Sequence, residues 1–244
     1  MTGDVTGGRV PVQGIIFDKD GTLFDFATTW EAWAAAFLMR VAGGDRGRAA
    51  DLGSAIGFDV AKRRFARDSL VIAGTSADVA AALAPYLPDL STNRLLYMLN
   101  EESGQAPQAE AVPLAPFLAG LRARGLALGV ATNDAEAPAR AHLDAAGVTG
   151  HFDFIAGFDS GHGGKPAPGQ LLAFCEATGL VPEVVVMVGD SLHDLSAGHA
   201  AGMRCVAVLT GMADADDLAP HAHVVLPDIG HIPDWLDRMP RAGA

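Results

Sequence analysis

An apolar run that ends in two acids is the feature that most constrains this chain. Ile15-Ile16-Phe17 reads as a buried strand, and Asp18-Lys19-Asp20 follows it directly, before Gly21-Thr22 turns the chain. Open α/β sheets place their chemistry just beyond the carboxyl ends of their strands. One acid can attack as a nucleophile while the other transfers protons. Because two acids this close repel each other unless a cation joins them, the motif also implies a divalent metal.

Two later segments place possible anion-binding groups after apolar runs. The first ends in Thr132 and Asn133, whose donors can bind an anion, or which can simply cap a helix predicted over residues 135–146. In the second, Lys165 lies between glycines and prolines before a helix predicted over residues 167–178. It is either a point cation for a phosphate or an exposed loop residue.

The most apolar run of the chain, residues 184–189, also ends in acids. Asp190 follows it directly, and Asp194 lies in the first turn of the helix predicted to come next. The arrangement repeats the pattern of the first motif, with acids just past the end of a strand. Asp194 can alternatively serve only to stabilise the dipole of that helix.

Taken together and in this order, the segments resemble the haloacid dehalogenase-like superfamily of phosphohydrolases. The first family motif, DxDG(T/V), matches Asp18 to Thr22, and the second, a Ser or Thr after a strand, matches Thr132. The third, a Lys, matches Lys165, and the fourth, GDxxxD, matches Gly189 to Asp194. The resemblance covers nearly the whole chain. The first motif of the chain reads DKDGT, and a long insert follows it before the second motif. In both respects the chain is similar to the phosphoglycolate phosphatase-like branch.

The resemblance implies a role for each acid. Asp18 would attack phosphorus and form an aspartyl-phosphate, and Asp20 would protonate the leaving oxygen and then activate water. The implied cofactor is Mg²⁺. It would be held by the Asp18 carboxylate, the Asp20 backbone carbonyl and Asp190, with Asp194 in support.

The resemblance also implies the ligands of the transferring phosphoryl group. Thr132 and Lys165 would bind its oxygens, and Asn133 would add a donor. Lys165 would in addition offset the charge of Asp18, which makes it part of the catalytic set. Asp20 favours phosphoester chemistry, because the haloacid dehalogenases of the superfamily lack an acid at that position.

Alternating apolar runs and helical stretches predict an α/β fold with a Rossmann-like, mostly parallel sheet flanked by helices. Strands are predicted at residues 12–17, 126–131, 152–157, 184–189, 204–209 and 223–226. We expect a core domain of residues 1–26 and 111–244, and an inserted α-helical cap domain of residues 27–110.

The predicted cap is rich in Ala and carries no run like those of the core strands. Helices are predicted near residues 77–84 and 91–101. By resemblance, such a cap closes over the site, excludes water and selects the leaving group. Its hinges are expected near residues 24–27 and 106–113.

Several side chains have alternative roles. Trp30 and Trp33 either line a substrate pocket or pack inside the cap. The basic run from Lys62 to Arg67 either reaches an anionic group of the substrate or forms a solvated helix face. His193 is expected at the surface or behind the metal ligands, since Mg²⁺ prefers oxygen.

Composition narrows the classes of partner. The 244 residues carry a formal net charge of −12, which argues against nucleic acid. No apolar run approaches the roughly 20 residues that span a bilayer, so no membrane partner is expected. Met1 to Pro11 does not resemble a signal peptide, and Cys175 and Cys205 are expected to be buried thiols. The cytoplasm is therefore the expected location, and either a monomer or a homodimer is compatible with the composition.

The function expected from these observations is Mg²⁺-dependent hydrolysis of a small phosphorylated metabolite, possibly 2-phosphoglycolate. A phosphomutase of the β-phosphoglucomutase type, which shares the motifs, remains an alternative. A non-enzymatic phospho-acceptor similar to a receiver domain is a further alternative, although Asp20 and the insert argue against it.

Overall fold

The computed structural model describes residues 11–239. Residues 1–10 and 240–244 lie outside the described part, and the expectation about a signal peptide falls almost wholly on them. The ends of the predicted core domain lie there too.

A parallel six-stranded sheet forms the centre of the molecule. Its strands are β1 (Gly14–Phe17), β4 (Ala127–Ala131), β5 (Phe154–Ala156), β6 (Val185–Gly189), β7 (Arg204–Val208) and β8 (Val224–Leu226). They lie in the order β5-β4-β1-β6-β7-β8, and every neighbouring pair is parallel. The predicted fold class and all the predicted strands are confirmed, with strand ends that differ by at most two residues.

The strand order creates a crevice beside β1. The chain moves from β1 outward through β4 to β5 and then returns to the other side of β1 as β6. At this switch point the connections that leave two neighbouring strands run to opposite sides of the sheet. The gap between them leaves room for a ligand at the carboxyl ends of the strands. Phe17 pairs with Val188, so Asp18 and Asp190 leave the sheet at adjacent places.

Both faces of the sheet are covered, because successive side chains of a strand point to opposite faces. Ile15 and Phe17 belong to one buried cluster, with residues of α6 (Leu114–Ala123), α7 (Glu136–Ala145) and α11 (Ile232–Arg238). Ile16 belongs to a second buried cluster, with residues of α8 (Gly169–Thr178) and α9 (Leu192–Ala201). A short helix, α10 (Ala215–Leu218), follows β7. Two-sided burial explains why these strands read as continuous apolar runs.

The segment between β1 and α6, called the insert below, packs around a hydrophobic cluster of its own, which extends from Phe26 to Leu99. Its helices are α1 (Phe26–Val41), α2 (Arg46–Ala55), α3 (Leu70–Ala73), α4 (Ser76–Leu83) and α5 (Thr92–Ser103). Trp30 is buried in this cluster and Trp33 packs against it. The division of the chain at residues 27 and 110 stays a prediction.

The expectation of a helix face at Lys62 to Arg67 is wrong. This run lies instead in and after the turn of an antiparallel hairpin formed by β2 (Phe58–Asp59) and β3 (Arg64–Phe65). Phe58 and Phe65 face each other with ring centroids 4.7 Å apart, and Arg63 adopts a φ of 55° in the turn. A cross-strand aromatic pair favours the hairpin over a helix that would expose both rings.

The two connections between the sheet and the insert run side by side. The Asp25 N–H donates to the Ala109 carbonyl at 2.8 Å, and the Ala111 N–H donates to the Leu23 carbonyl at 2.9 Å. These segments coincide with the expected hinges. Across residues 11–239, no helix combines the length and apolar character needed to cross a bilayer.

Candidate active site

Three buried carboxylates and one buried ammonium meet at the switch point. Asp18 follows β1, Asp190 follows β6, and Asp194 lies in the first turn of α9. One oxygen from each of these acids lies within 4.8 Å of the others. Lys165 Nζ donates to Asp18 Oδ1 at 2.5 Å and to Asp194 Oδ1 at 2.6 Å. The structure therefore brings together four residues that the sequence places up to 176 positions apart (194 − 18).

The negative charge of this cluster exceeds its positive charge. Burial raises the pKa of the Asp18 carboxyl to about 7, although the Lys165 ammonium opposes the rise. Burial, followed by repulsion from Asp18, raises the pKa of Asp190. Burial alone would lower the pKa of Lys165, but Asp18 and Asp194 outweigh it and raise that pKa. One ammonium does not compensate three buried carboxylates, so the cluster attracts a further cation.

A hard divalent cation fits this donor set. The carboxylates of Asp18, Asp190 and Asp194 offer oxygen ligands of the kind that Mg²⁺ prefers. The carboxylate of Asp20 is not part of this group, and its predicted contribution is through the backbone carbonyl. The metal-binding roles of these residues stay predictions that the clustered acids support.

Two glycines let the Asp190 carboxylate lie against the backbone. A Cβ at Gly21, which has a φ of 81°, would lie 2.3 Å from Asp190 Oδ2, and one at Gly211 would lie 1.7 Å from it. Thr210, next to Gly211, donates its hydroxyl to the Gly21 carbonyl at 2.6 Å. Sequence reasoning missed this second loop, although Thr-Gly just after an apolar strand was an available signal.

A capping box fixes Asp194. The Ser191 N–H and hydroxyl donate to Asp194 Oδ2 at 3.0 and 2.7 Å, which leaves Oδ1 for Lys165. The alternatives considered for Asp194, a helix-stabilising acid or a member of the site, therefore both hold. One oxygen serves the helix and the other serves the charge cluster.

The second motif holds the backbone of Lys165 in place through Asn133 and contributes Thr132 to the lining of the cleft. Asn133 Nδ2 donates to the Lys165 carbonyl at 2.9 Å, and Asn133 Oδ1 accepts from the Lys165 N–H at 2.8 Å. Its side chain therefore clamps the backbone of Lys165, and the expected contact of Asn133 with a phosphoryl group stays a prediction. Thr132 is buried and lines the cleft, where its Oγ1 accepts from the Asp134 N–H at 3.0 Å. Thr132 does not cap α7, whose N-cap is Ala135.

Asp20 accepts hydrogen bonds from a residue of the first motif and from a residue of the insert. Its Oδ1 accepts from Lys19 Nζ at 2.7 Å and from Trp30 Nε1 at 2.9 Å. Trp30 belongs to α1 of the insert, so the position of this carboxylate depends on how the insert sits over the sheet. Sequence reasoning noticed Trp30 but did not pair it with Asp20.

Lys19 extends this contact into the protein interior. It is fully buried, lies 3.5 Å from Asp134 Oδ2 and lies 3.0 Å from His142 Nδ1. His142 Nε2 lies 2.6 Å from the Ser103 carbonyl, which can only accept, so Nε2 carries the proton and Nδ1 accepts from Lys19. Burial and then the charge of Lys19 lower the pKa of His142 to about 4, which agrees with a neutral ring. This chain of contacts links Asp20 to the end of α5.

A cleft lies between the charge cluster and the insert. It encloses about 720 Å³ of empty space, part of which is open to solvent. One wall is formed by the acids of the charge cluster together with Thr132, Asn133, Lys165 and His193. The opposite wall is formed mainly by apolar side chains of the insert: Phe26, Trp30, Trp33, Val71, Ile72, Val79 and Leu99. Trp30 and Trp33 thus pack within the insert and also line the cleft, and their contact with a substrate stays a prediction.

The sequence and the fold have counterparts in known proteins. The model of the haloacid dehalogenase-like hydrolase family matches residues 12–202. The chain belongs to this family. Like this haloacid dehalogenase-like chain, a crystal structure described as a predicted phosphoglycolate phosphatase from Haemophilus somnus 129PT has the fold, with a TM-score of 0.70 at 19% identity. That comparison covers 93% of this chain and 99% of the other.

Curated relatives place the haloacid dehalogenase-like chain in a branch of the family. It is 31% identical over 213 residues to phosphoglycolate phosphatase of Nitrosospira multiformis, which covers 86% of this chain and 88% of that protein. It is 33% identical over 162 residues to phosphoglycolate phosphatase of Rhodospirillum rubrum, a match that spans 66% of this chain and 61% of that protein. The predicted family and branch are confirmed, as is the predicted class of enzyme.

Proposed function

We propose that the protein is a Mg²⁺-dependent phosphomonoester hydrolase that acts on a small phosphorylated metabolite through a phosphorylated Asp18. The observation that carries this proposal is the contact of Asp18 with Lys165 beside two further buried acids. A carboxylate placed as nucleophile, a fixed cation and a set of oxygens suited to a metal meet there in the lining of one cleft. Phosphoryl transfer depends mainly on such positioning and charge neutralisation.

The first step transfers the phosphoryl group to the protein. An Asp18 carboxylate oxygen attacks phosphorus, and the bond from phosphorus to the leaving oxygen breaks. Asp20 donates a proton to that oxygen, so a neutral alcohol leaves. Lys165 stabilises the phosphoryl oxygens and keeps Asp18 oriented through the 2.5 Å contact.

The second step returns Asp18 to its starting state. Asp20, now deprotonated, takes a proton from water as the water oxygen attacks phosphorus. The bond between phosphorus and the Asp18 oxygen breaks, and inorganic phosphate leaves. Thr132 and the backbone of Asn133 add donors to the phosphoryl oxygens in both steps, and bound Mg²⁺ supplies the remaining positive charge.

Phosphate release from a panel of phosphomonoesters tests this function. The panel includes 2-phosphoglycolate, which the resemblance implies, together with phosphosugars and 4-nitrophenyl phosphate. We expect inorganic phosphate in an amount equal to the alcohol released. No phosphate from any ester would contradict the proposal, and transfer to a second hydroxyl instead of water would identify a phosphomutase.

Removal of divalent metal is expected to stop turnover. In EDTA the cluster of Asp18, Asp190 and Asp194 keeps its excess negative charge and repels the dianionic phosphate. We expect kcat/KM to fall by about 10²-fold or more and to return with added Mg²⁺. Mg²⁺ alone, without substrate, should also raise the melting temperature, because it binds only the folded cluster. Full activity in EDTA would contradict the metal assignment.

Trp30→Phe is expected to impair proton transfer more than binding. Phe keeps most of the apolar contact but removes the donor to Asp20 Oδ1. We expect kcat for alkyl phosphates to fall by about 10-fold with little change in KM. Release of 4-nitrophenolate in the first turnover should change much less, because that leaving group needs no proton.

Trp33→Phe is the matched control. Trp33 lines the same cleft, but its indole Nε1 has no hydrogen-bond partner within the described residues. The ratio between alkyl and nitrophenyl esters should therefore stay at the wild-type value. An equal loss on both esters in Trp30→Phe would mean that Trp30 only packs.

A further inference from the structure

We propose that the leaving group of the physiological substrate is uncharged and largely apolar, so that the enzyme hydrolyses the phosphate ester of a hydrophobic alcohol. This proposal rests on the proposed phosphatase function and specifies its substrate class. It differs from the expectation of 2-phosphoglycolate, whose leaving group carries a carboxylate.

The wall of the cleft opposite the charge cluster is apolar and aromatic. Trp30 and Trp33 contact each other edge to face with ring centroids 5.2 Å apart, and Trp33 stacks on Phe37 at 5.1 Å. Val71, Ile72 and Val79 continue this wall along α3 and α4. A leaving group against these side chains is stabilised because it buries apolar surface.

Two hydroxyl groups on this wall, those of Thr75 and Ser103, are already engaged inside the insert. The Thr75 hydroxyl donates to Asp78 Oδ2 at 2.7 Å, and accepts from the Asp78 N–H, as the cap of α4. The Ser103 hydroxyl donates to the Asn100 carbonyl at 3.2 Å. Both residues line the cleft, yet their hydrogen-bonding groups stabilise helix ends. Among the buried side-chain donors of this wall, the Trp33 Nε1–H is the one without a hydrogen bond inside the described residues, so a leaving group with many hydroxyls, such as a sugar, would find few unengaged partners there.

An anionic leaving group would lack a cationic partner among the described residues of the insert that line the cleft. Within residues 11–239, Lys165 is the one Lys or Arg that lines the cleft, and both its contacts are to acids of the cluster. Asp134 lines the cleft as well, and its carboxylate would repel a carboxylate of the leaving group. Burial of a charge without a counter-charge is strongly unfavourable, so selection against an anion is built into the cleft.

The basic run of the insert does not supply that counter-charge. Lys62, Arg63, Arg64 and Arg67 are exposed, and none of them lines the cleft. Lys62 pairs with Asp59 at 3.0 Å, and Arg67 pairs with Asp214 of the loop after β7. The interpretation of this run as a recognition site for a substrate anion therefore has no support from its position.

His193 is the remaining lining residue that can carry a positive charge. It lies in the first turn of α9, on the side of the cleft that belongs to the charge cluster. The ester comparison is therefore repeated in His193→Asn, which removes this group and separates the effect of the wall of the insert from that of His193.

A pair of matched esters tests the proposal directly. 4-Methylbenzyl phosphate and 4-carboxybenzyl phosphate have similar size and similar ester bonds, and they differ mainly by one carboxylate. At pH 8 with Mg²⁺, we expect kcat/KM to favour the methyl ester by about 100-fold. Propyl phosphate and 2-phosphoglycolate form a second pair, for which we expect the same direction.

The outcomes separate this proposal from the proposed function. Equal or better hydrolysis of the carboxylated ester in either pair would overturn the apolar leaving group while leaving the phosphatase intact. No hydrolysis of any ester, including 4-nitrophenyl phosphate, would overturn the phosphatase function and this proposal with it.

A charge placed on the wall gives an independent test. Ile72 is half-buried and lines the cleft from α3, away from the acids that we place in catalysis. Ile72→Arg should shift the ratio of kcat/KM values toward 4-carboxybenzyl phosphate by about 10-fold, since it adds the missing counter-charge. Ile72→Leu, which keeps the wall apolar, should retain the wild-type preference. An unchanged ratio in a folded Ile72→Arg protein would show that the leaving group does not contact this wall.

Discussion

Asp18→Asn is expected to abolish turnover and to leave the fold intact. An amide oxygen is a much weaker nucleophile than a carboxylate, so the variant cannot form the phosphorylated intermediate at a useful rate. We expect kcat to fall by about 10⁴-fold or more, the scale on which loss of an enzyme nucleophile is measured. Phosphate release at saturating substrate and Mg²⁺ provides the measurement.

The charge environment of Asp18 explains why its loss should not unfold the protein. Burial raises the pKa of this carboxyl to about 7, which means that its surroundings destabilise the ionised form unless a metal is bound. Asn keeps an oxygen that can accept from Lys165 Nζ and removes one of the crowded charges. The melting temperature of the metal-free variant should therefore stay close to the wild-type value.

Asp25→Asn provides the same chemical change outside the cleft. Asp25 caps α1 by accepting from the Thr28 N–H at 2.8 Å, a role that Asn fills equally well. This control should keep wild-type turnover. Substantial turnover by Asp18→Asn, beyond that of a mock purification, would exclude Asp18 as the nucleophile.

The core of the fold could be predicted because its signals are local. The central strands are buried on both faces and therefore appear as apolar runs such as Val185–Gly189. The insert gave weaker signals. α2 buries only Ala49, Leu52 and Gly53, so its apolar periodicity is too sparse to read. The hairpin depends on the pairing of Phe58 with Phe65, and no apolar periodicity in the sequence indicates that pairing.

The candidate site could be predicted only where residues follow strands in motif order. Asp18, Lys165, Asp190 and Asp194 were found in this way, and the structure brings them together. The contact between Lys19 and His142 joins residues 123 positions apart, and nothing in either segment marks the other. Such contacts follow from the packing of α5 and α7 against the first motif, which only the three-dimensional structure provides.

Asp20→Asn is expected to separate the two chemical steps. The variant cannot donate or accept the proton, yet it keeps an oxygen for the donors Lys19 Nζ and Trp30 Nε1. For an alkyl phosphate both steps need the acid, and we expect turnover to fall by about 10²–10⁴-fold. For 4-nitrophenyl phosphate the first step needs no proton, so only the hydrolysis of phosphorylated Asp18 should be slow.

Rapid mixing with 4-nitrophenyl phosphate makes this separation visible. We expect Asp20→Asn to release about one equivalent of 4-nitrophenolate per protein quickly and then to turn over slowly, as covalent intermediates do when their breakdown is limiting. Intact-protein mass measured after the burst should show one added phosphoryl group, which is lost when Asp18→Asn is combined with Asp20→Asn. Near wild-type turnover of an alkyl phosphate by Asp20→Asn would instead remove Asp20 from the proton transfers. Its contacts to Lys19 and Trp30 would then have only a structural role, linking the first motif to the insert.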